Sequence, residues 1–276
     1  MKNPILKIAK YVLTDEARQK SFIVIFILCA LFVFLVRGCY QGHYEVNGQL
    51  LDGKSIIEII SKITFQIIAA GAMFVAALLS MGVLRHDREN GMQAAILSKP
   101  LTRRQYISGK ILGLWALSFL FMLVLHTVLF VITSVNMGMI MPQYLMASLL
   151  CSFNLLFVVI AVCLFSLLMP DIAAFLSAIG IGLAGFAADG IHAVSQSPMG
   201  QMMMQQDAYT KTGVSLWDVL YYGWPKISGL QRLAASMISE EGFSSMGGLY
   251  PLINIFLYCL ILGYLLYRRF DRIDIE

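Results

Sequence analysis

The chain has 276 residues, 59% of them hydrophobic and 13% charged, at a mean hydropathy of +0.76, where an ordinary soluble domain carries about 25% charged residues. Several membrane spans of about 20 residues each account for such a composition and leave no room for a large soluble domain. The net charge of +4 is what basic residues gathered on one membrane face supply, and it calls for no nucleic acid partner.

The N-terminus opens with Asn3-Pro4, an N-cap followed by proline at the first helical position, where a missing N–H costs nothing. At helical spacing Ile5, Leu6, Ile8, Ala9, Val12 and Leu13 share one side, with Lys7, Lys10, Thr14 and Arg18 opposite. Residues 1–20 are therefore expected to form an interfacial helix lying flat on the cytoplasmic leaflet. Glu16 interrupts the stripe and needs water or a cation from the segment 85–110.

Apolar runs at residues 21–36, 63–84, 111–135, 144–169, 172–188 and 250–267 predict six transmembrane helices in an all-α integral membrane fold. The first and fifth runs are short, so Lys20 and Arg37 are expected to snorkel and the fifth helix to stop before crossing fully. Basic residues cluster before the first run (Lys2, Lys7, Lys10, Arg18, Lys20), between the second and third (Arg85, Arg88, Lys99, Arg103, Arg104, Lys110) and after the last (Arg268, Arg269, Arg272). The positive-inside rule then predicts both termini cytoplasmic, in a chain expected to be a multi-pass protein of the cell's inner (plasma) membrane. Leu35-Val36-Arg37-Gly38-Cys39 is a poor match to a lipoprotein cleavage site, because the arginine is wrong and cleavage would discard the basic N-terminus.

Glu58 and Lys62 stand at i, i+4 just before the second run, the arrangement of an exposed ion pair on a helix that extends above the membrane. After that run, the segment 85–110 is more structured than a connector requires. Asn90-Gly91 marks a turn, and residues 92–98 read as a short helix with Met92, Ala95, Ile96 and Leu97 apolar. Pro100 forces Lys99 toward extended backbone and ends it. Thr102 and Gln105 then form a capping box, with Leu101 and Tyr106 spaced as a hydrophobic staple, so a new helix begins at Arg103 and runs into the third span. The segment is a rigid bracket whose stub helix needs a partner to cover its apolar side.

In the third run His126 is the one titratable side chain placed clearly at depth, read either as a neutral imidazole bonded to a neighbouring carbonyl or as a proton relay. Gln66, His126 and Asn154 are the candidate path-lining residues. Gly180-Ile-Gly182-Leu-Ala-Gly185 spells a dinucleotide fingerprint, but inside an apolar helix its small residues, with Ala174, Ala178, Ala184 and Ala188, read as a packing face. The segment 189–248 is too long for a connector. Within it Ser215-Leu-Trp-Asp218 and Ser228-Gly-Leu-Gln231 match capping boxes, the second opening an amphipathic stretch through Leu230, Leu233, Ala234, Met237 and Ile238 that ends at Gly242. Two short amphipathic outer helices are expected in the outer interface, anchored by Trp217, Tyr221, Tyr222 and Trp224.

The methionines at 199 and 202–204 lack a companion His or Cys, and no metal site is assigned to them. Cysteines 29, 151, 163 and 259 lie in spans, with only Cys39 outside, so no disulfide framework is implied. No hydrolase triad, zinc motif or phosphate-binding loop is present, so no catalytic residue is assigned and any energy must come from another protein.

With these residues in place, the pattern Glu89-x-Gly91, Leu97-Ser98-x-Pro100-Leu101, Arg103 and Lys110-x-Leu112 resembles the cytoplasmic signature of ABC type-2 exporter permeases. Met92 stands where that family usually has threonine, and Thr102 where serine is common. The resemblance spans residues 1–276 as a single permease domain: interfacial helix, six spans, a cytoplasmic coupling helix within 85–110, and short helices in 189–248. It implies a non-enzymatic permease subunit that forms the translocation path, pairs with a second permease as homodimer or heterodimer, and is driven by two copies of a separate ABC ATPase. ATP and Mg belong to that partner and no cofactor to this chain. The residues it marks for ATPase coupling are Arg88, Glu89, Gly91, Met92, Ile96, Leu97, Pro100, Arg103 and Lys110. Two other classes stay open: a stand-alone channel or secondary carrier, which would show internal repeats and a titratable midplane site, and a scaffold or force-transmitting subunit without transport.

Overall fold

The computed structural model describes residues 3–38, 45–46, 49–50, 53–89, 101–196, 221, 223–238 and 248–272. In chain order the helices are α1 (Pro4–Ala17), α2 (Lys20–Val36), α3 (Gly53–Ser80), α4 (Val83–Glu89), α5 (Arg103–Met137), α6 (Gln143–Ser166), α7 (Asp171–Gln196), α8 (Ile227–Ser236) and α9 (Tyr250–Asp271). Between α2 and α3, β1 (Glu45–Val46) pairs antiparallel with β2 (Gln49–Leu50), Val46 opposite Gln49 across the sequence Asn47-Gly48.

Five helices among the described residues are long and apolar enough to cross a membrane, six if α1 and α2, bent by 71° to each other, count as one broken span. The protein is a helical, multi-pass membrane protein. Its shortest expected span is α2, whose 17 residues reach about 25 Å at 1.5 Å each, short of the roughly 30 Å hydrocarbon layer. The fifth helix is longer than its apolar run, α7 extending over 26 residues. Asp189 and His192, past the end of the apolar run, stay helical and have tertiary partners, Asp189 pairing with Lys226 and His192 stacking on Tyr221.

The core lies where α3, α5 and α6 meet, filled by Phe65, Ala72, Leu114, Met122, Leu129, Tyr144, Leu155 and Val159. Buried alanines and serines in α3 (Ser61, Ala69, Ala72, Ala76) and α6 (Ala147, Ser148, Ser152) let the helices approach, the packing mode of helices in lipid, where burying apolar surface gives no advantage. Conversely Ile23, Ile27, Leu31 and Leu35 on α2 and Ile172, Leu176 and Leu183 on α7 are exposed, the pattern of a surface facing acyl chains.

Helix α1 begins at Pro4 as expected, although Asn3 makes no side-chain capping bond. Its apolar stripe does not simply face a leaflet: Ile8, Ala9 and Val12 are buried against α5, while Leu6 points outward, 59% exposed. Gly109 and Gly113 make this contact possible. A Cβ at Gly109 would lie 2.7 Å from the Ile8 Cβ, and one at Gly113 2.8 Å from both the Ala9 carbonyl oxygen and the Val12 Cβ. The two glycines, four apart, are a groove cut to the shape of α1.

The outer helix α8 is a second correction. It does not rest on the surface of the helix bundle: Ile227, Leu230, Gln231, Leu233, Ala234 and Ala235 are all buried, wedged against α6, α7, α9 and α3. The Ser228-x-x-Gln231 box does not form either, since Lys226 is the N-cap and no side chain caps the helix. Residues 215–218 and 242, which carry the other box and the expected stop, lie outside the described residues, as do Trp217, Tyr222, Met199, Met202–Met204 and Cys39.

Candidate functional site

The bracket begins where α3 ends. Gly82 adopts φ 76°, a left-handed conformation that favours glycine, and a Cβ there would sit 3.2 Å from an oxygen of Asp171. The turn at residues 81–82 interrupts the helix, which resumes along the same span as α4, the first leg of the bracket. The second leg is the start of α5, where Thr102 and Gln105 form the expected capping box: the Gln105 N–H donates to the Thr102 hydroxyl (3.2 Å) and the Thr102 N–H to the Gln105 Oε1 (3.1 Å).

A buried cluster locks the two legs together. On α4, Asp87 accepts from the Lys110 ammonium at 2.6 Å and from the Tyr106 hydroxyl, both on α5. Asp87 is 6% exposed, Lys110 5% and Tyr106 0%. The tyrosine ring stacks on Phe270 of α9, centroids 6.0 Å apart. Burying two charges is costly, and it is tolerated here because each is paired and the carboxylate accepts a further hydrogen bond. Sequence reading picked out Lys110 but not its partners. Asp87 was the available signal, an acid set between His86 and Arg88 in an otherwise basic segment.

The other residues assigned to coupling divide three ways. Glu89 is exposed and accepts from Arg85 at 2.8 Å, one helical turn away, and Arg85 in turn approaches Asp171 of α7 at 3.9 Å. Arg103 reaches across to α9, where its guanidinium donates to the Asp271 carbonyl at 3.0 Å. Arg88 belongs to α4 by its backbone, its side chain lying outside the described residues, and Gly91, Met92, Ile96, Leu97 and Pro100 fall wholly outside them.

Beside the bracket, Glu16 of α1 accepts from Gln19 and makes no ion pair among the described residues, although it lines a cavity of about 470 Å³ that also includes Arg85, His86 and Asp171. Burial holds its carboxyl above the usual carboxylate range, with Asp15 and Asp87 pushing the same way and Lys110 and His86 opposing. The Lys110 ammonium is already taken by Asp87.

At depth, His126 is fully buried. Its Nε2 lies 3.3 Å from the Phe65 carbonyl and its Nδ1 3.0 Å from the Ser148 hydroxyl, with the ring stacked on Phe65 at 4.1 Å. A carbonyl can only accept, so Nε2 carries the proton and Nδ1 accepts from Ser148, a complete set of bonds for a neutral imidazole. Asn154, also buried, donates to the Ile227 carbonyl at 2.9 Å and so holds the start of α8. Gln66 is half-buried on α3, one residue from the carbonyl that His126 uses. No hydrogen bond links these three side chains among the described residues.

On the opposite side from the bracket, Asp189 of α7 receives the Lys226 ammonium at 2.8 Å and the Ser228 hydroxyl. The Lys226 Nζ also lies 3.0 Å above the Tyr221 ring, which stacks with His192 at 3.7 Å. Trp224 donates to the Ile181 carbonyl at 2.8 Å, passing over Gly185, where a side chain would meet the indole. Burial lowers the Lys226 pKa, and Asp189 offsets part of that effect. Ser228 thus serves Asp189, a partner invisible in local spacing, which is why its capping box is lost.

The arrangement thus holds a clamped bracket at one end and the Asp189–Lys226–Tyr221 cluster at the other, with no group of three metal-ligating side chains among the described residues. A family model described as "ABC-2 family transporter protein" matches residues 6–275. No curated protein matches the chain.

Proposed function

The chain belongs to the ABC-2 transporter family, and from that premise we propose that it is the permease subunit of an ABC exporter, driven through the bracket 85–110 by a separate ATPase. Permeases of this family are in general non-catalytic and partner with ATPase subunits. In our reading two ATPase copies bind ATP and Mg and act on this chain and a second permease, with residues 1–276 forming one transmembrane domain. Both termini and the bracket lie on the cytoplasmic side of the inner membrane, and α1 remains at that interface while docked on α5.

The observation that carries this reading is the Asp87–Lys110–Tyr106 cluster. A segment that receives force from a motor must not yield at its base. Here the base is tied by a buried ion pair between its two legs, by the Arg103 bond to α9 and by α1 seated on Gly109 and Gly113. Glu89, Gly91, Met92, Ile96, Leu97 and Pro100 then form the contact with the ATPase, while Arg103 and Lys110 position that contact from within. Gln66, His126 and Asn154 remain the first side chains to test for a path at the permease interface.

Isolation of the chain from its native membrane tests the proposal. An ATPase should copurify, and a Glu89→Arg, Leu97→Asp variant should lose it while keeping its own yield. A carrier or channel would instead purify alone as a functional unit. The bonding of both His126 nitrogens favours the exporter, because a proton-coupled carrier needs a titratable group free to change partners.

A further inference from the structure

We propose that the cleft between the foot of α5 and the C-terminal end of α9 binds the headgroup of an anionic phospholipid. The cleft holds about 510 Å³ and is lined by Arg104 and Ser108 from α5 and by Tyr264, Tyr267, Arg268 and Arg272 from α9. Among the described residues Asp271 is the only carboxylate in the lining. Its Oδ2 stands 3.5 Å from the Arg104 guanidinium, while Arg268 and Arg272 are exposed and make no ion pair among the described residues. Three guanidinium groups around one carboxylate leave an excess of positive charge and of N–H donors suited to a phosphate oxygen.

What makes this a lipid site and not merely a basic patch is the face on which it sits. Leu257, Ile261, Tyr264, Arg268 and Arg272 follow one another at spacings of three and four, so a single stripe of α9 passes from apolar through aromatic to cationic. Leu257, Ile261 and Tyr264 are all more than half exposed, giving acyl chains a track that ends at the arginines. Tyr267 is held to Ser108 by a 2.8 Å hydroxyl bond and fixes one wall. Clusters of this kind beside the end of a membrane helix attract anionic headgroups. Arg269 is the internal control: it is exposed on the same turn but does not line the cleft.

The inference does not depend on the ATPase. Its test is native mass spectrometry of the purified full chain, with or without a copurified partner, offered equimolar dioleoylphosphatidylglycerol and dioleoylphosphatidylcholine. Phosphatidylglycerol should be retained preferentially. Arg268→Gln with Arg272→Gln should reduce that preference at least about fivefold, the effect of losing one basic contact at an anionic surface, whereas Arg269→Gln should leave it intact. Millimolar inorganic phosphate should fail to displace the lipid. Equal retention of the two lipids, an equal loss in Arg269→Gln, or displacement by inorganic phosphate would each overturn the assignment, the last pointing to a soluble phosphate ligand instead.

Discussion

Asp87 stands at the centre of the bracket's base because it satisfies two buried α5 side chains at once. Removing the cation alone should be more damaging than removing the pair, since an unpaired buried carboxylate keeps its desolvation cost. Lys110→Met is expected to cost about 3–5 kcal/mol, read as a large fall in Tm in detergent, and Asp87→Leu combined with Lys110→Met should regain most of it. Thr102→Ala removes a formed cap and should cost about 1 kcal/mol. Glu16 gives a pH signature of opposite sign to an ordinary salt-bridged acid. Its folded pKa is raised, so the folded chain holds the proton more tightly than the unfolded one. The resulting stability is present below the ordinary carboxylate pKa and lost as pH rises through the raised value. Tm should therefore fall across that window, and Glu16→Gln should flatten the dependence.

Among the elements, α1 and α8 show where sequence reading succeeds and where it cannot. Capping at Thr102 and the Glu58–Lys62 pair, 2.9 Å apart in the structure, were legible because all their partners lie within four residues. The apolar stripe of α1 was legible as well, but not its receptor, although Gly109 and Gly113 at a spacing of four were visible in the chain. The burial of α8 and the continuation of α7 through Asp189 depend on partners 37 residues or more apart, Lys226 and Ser228, which no local pattern encodes. The coupling stub itself, at residues 92–98, lies wholly outside the described residues, so its helix stands as a sequence expectation. A side chain at Gly113 tests the α1 groove: Gly113→Val should detach α1, making a cysteine placed at Ile8 react with a maleimide that it resists in the parent. Similarly, Asn154→Leu removes the bond to the Ile227 carbonyl and should loosen α8 with a loss of about 1–3 kcal/mol.

At the scale of the whole molecule, α7 is tied near both ends: Asp189 pairs with Lys226 beside α8, and Asp171 lies 3.9 Å from Arg85 of α4. In the proposed exporter α7 is one of the elements that motion of the bracket would reach, provided the bracket moves as a unit.

The most direct measurement is ATP hydrolysis by the purified complex together with the amount of ATPase it retains, compared among the parent chain, Lys110→Met and the Glu89→Arg, Leu97→Asp variant. The surface variant should lose the ATPase, while Lys110→Met should keep it but uncouple hydrolysis from transport in liposomes. Retention of the ATPase by the surface variant, or full transport by Lys110→Met with its bracket unclamped, would refute force transfer through the bracket.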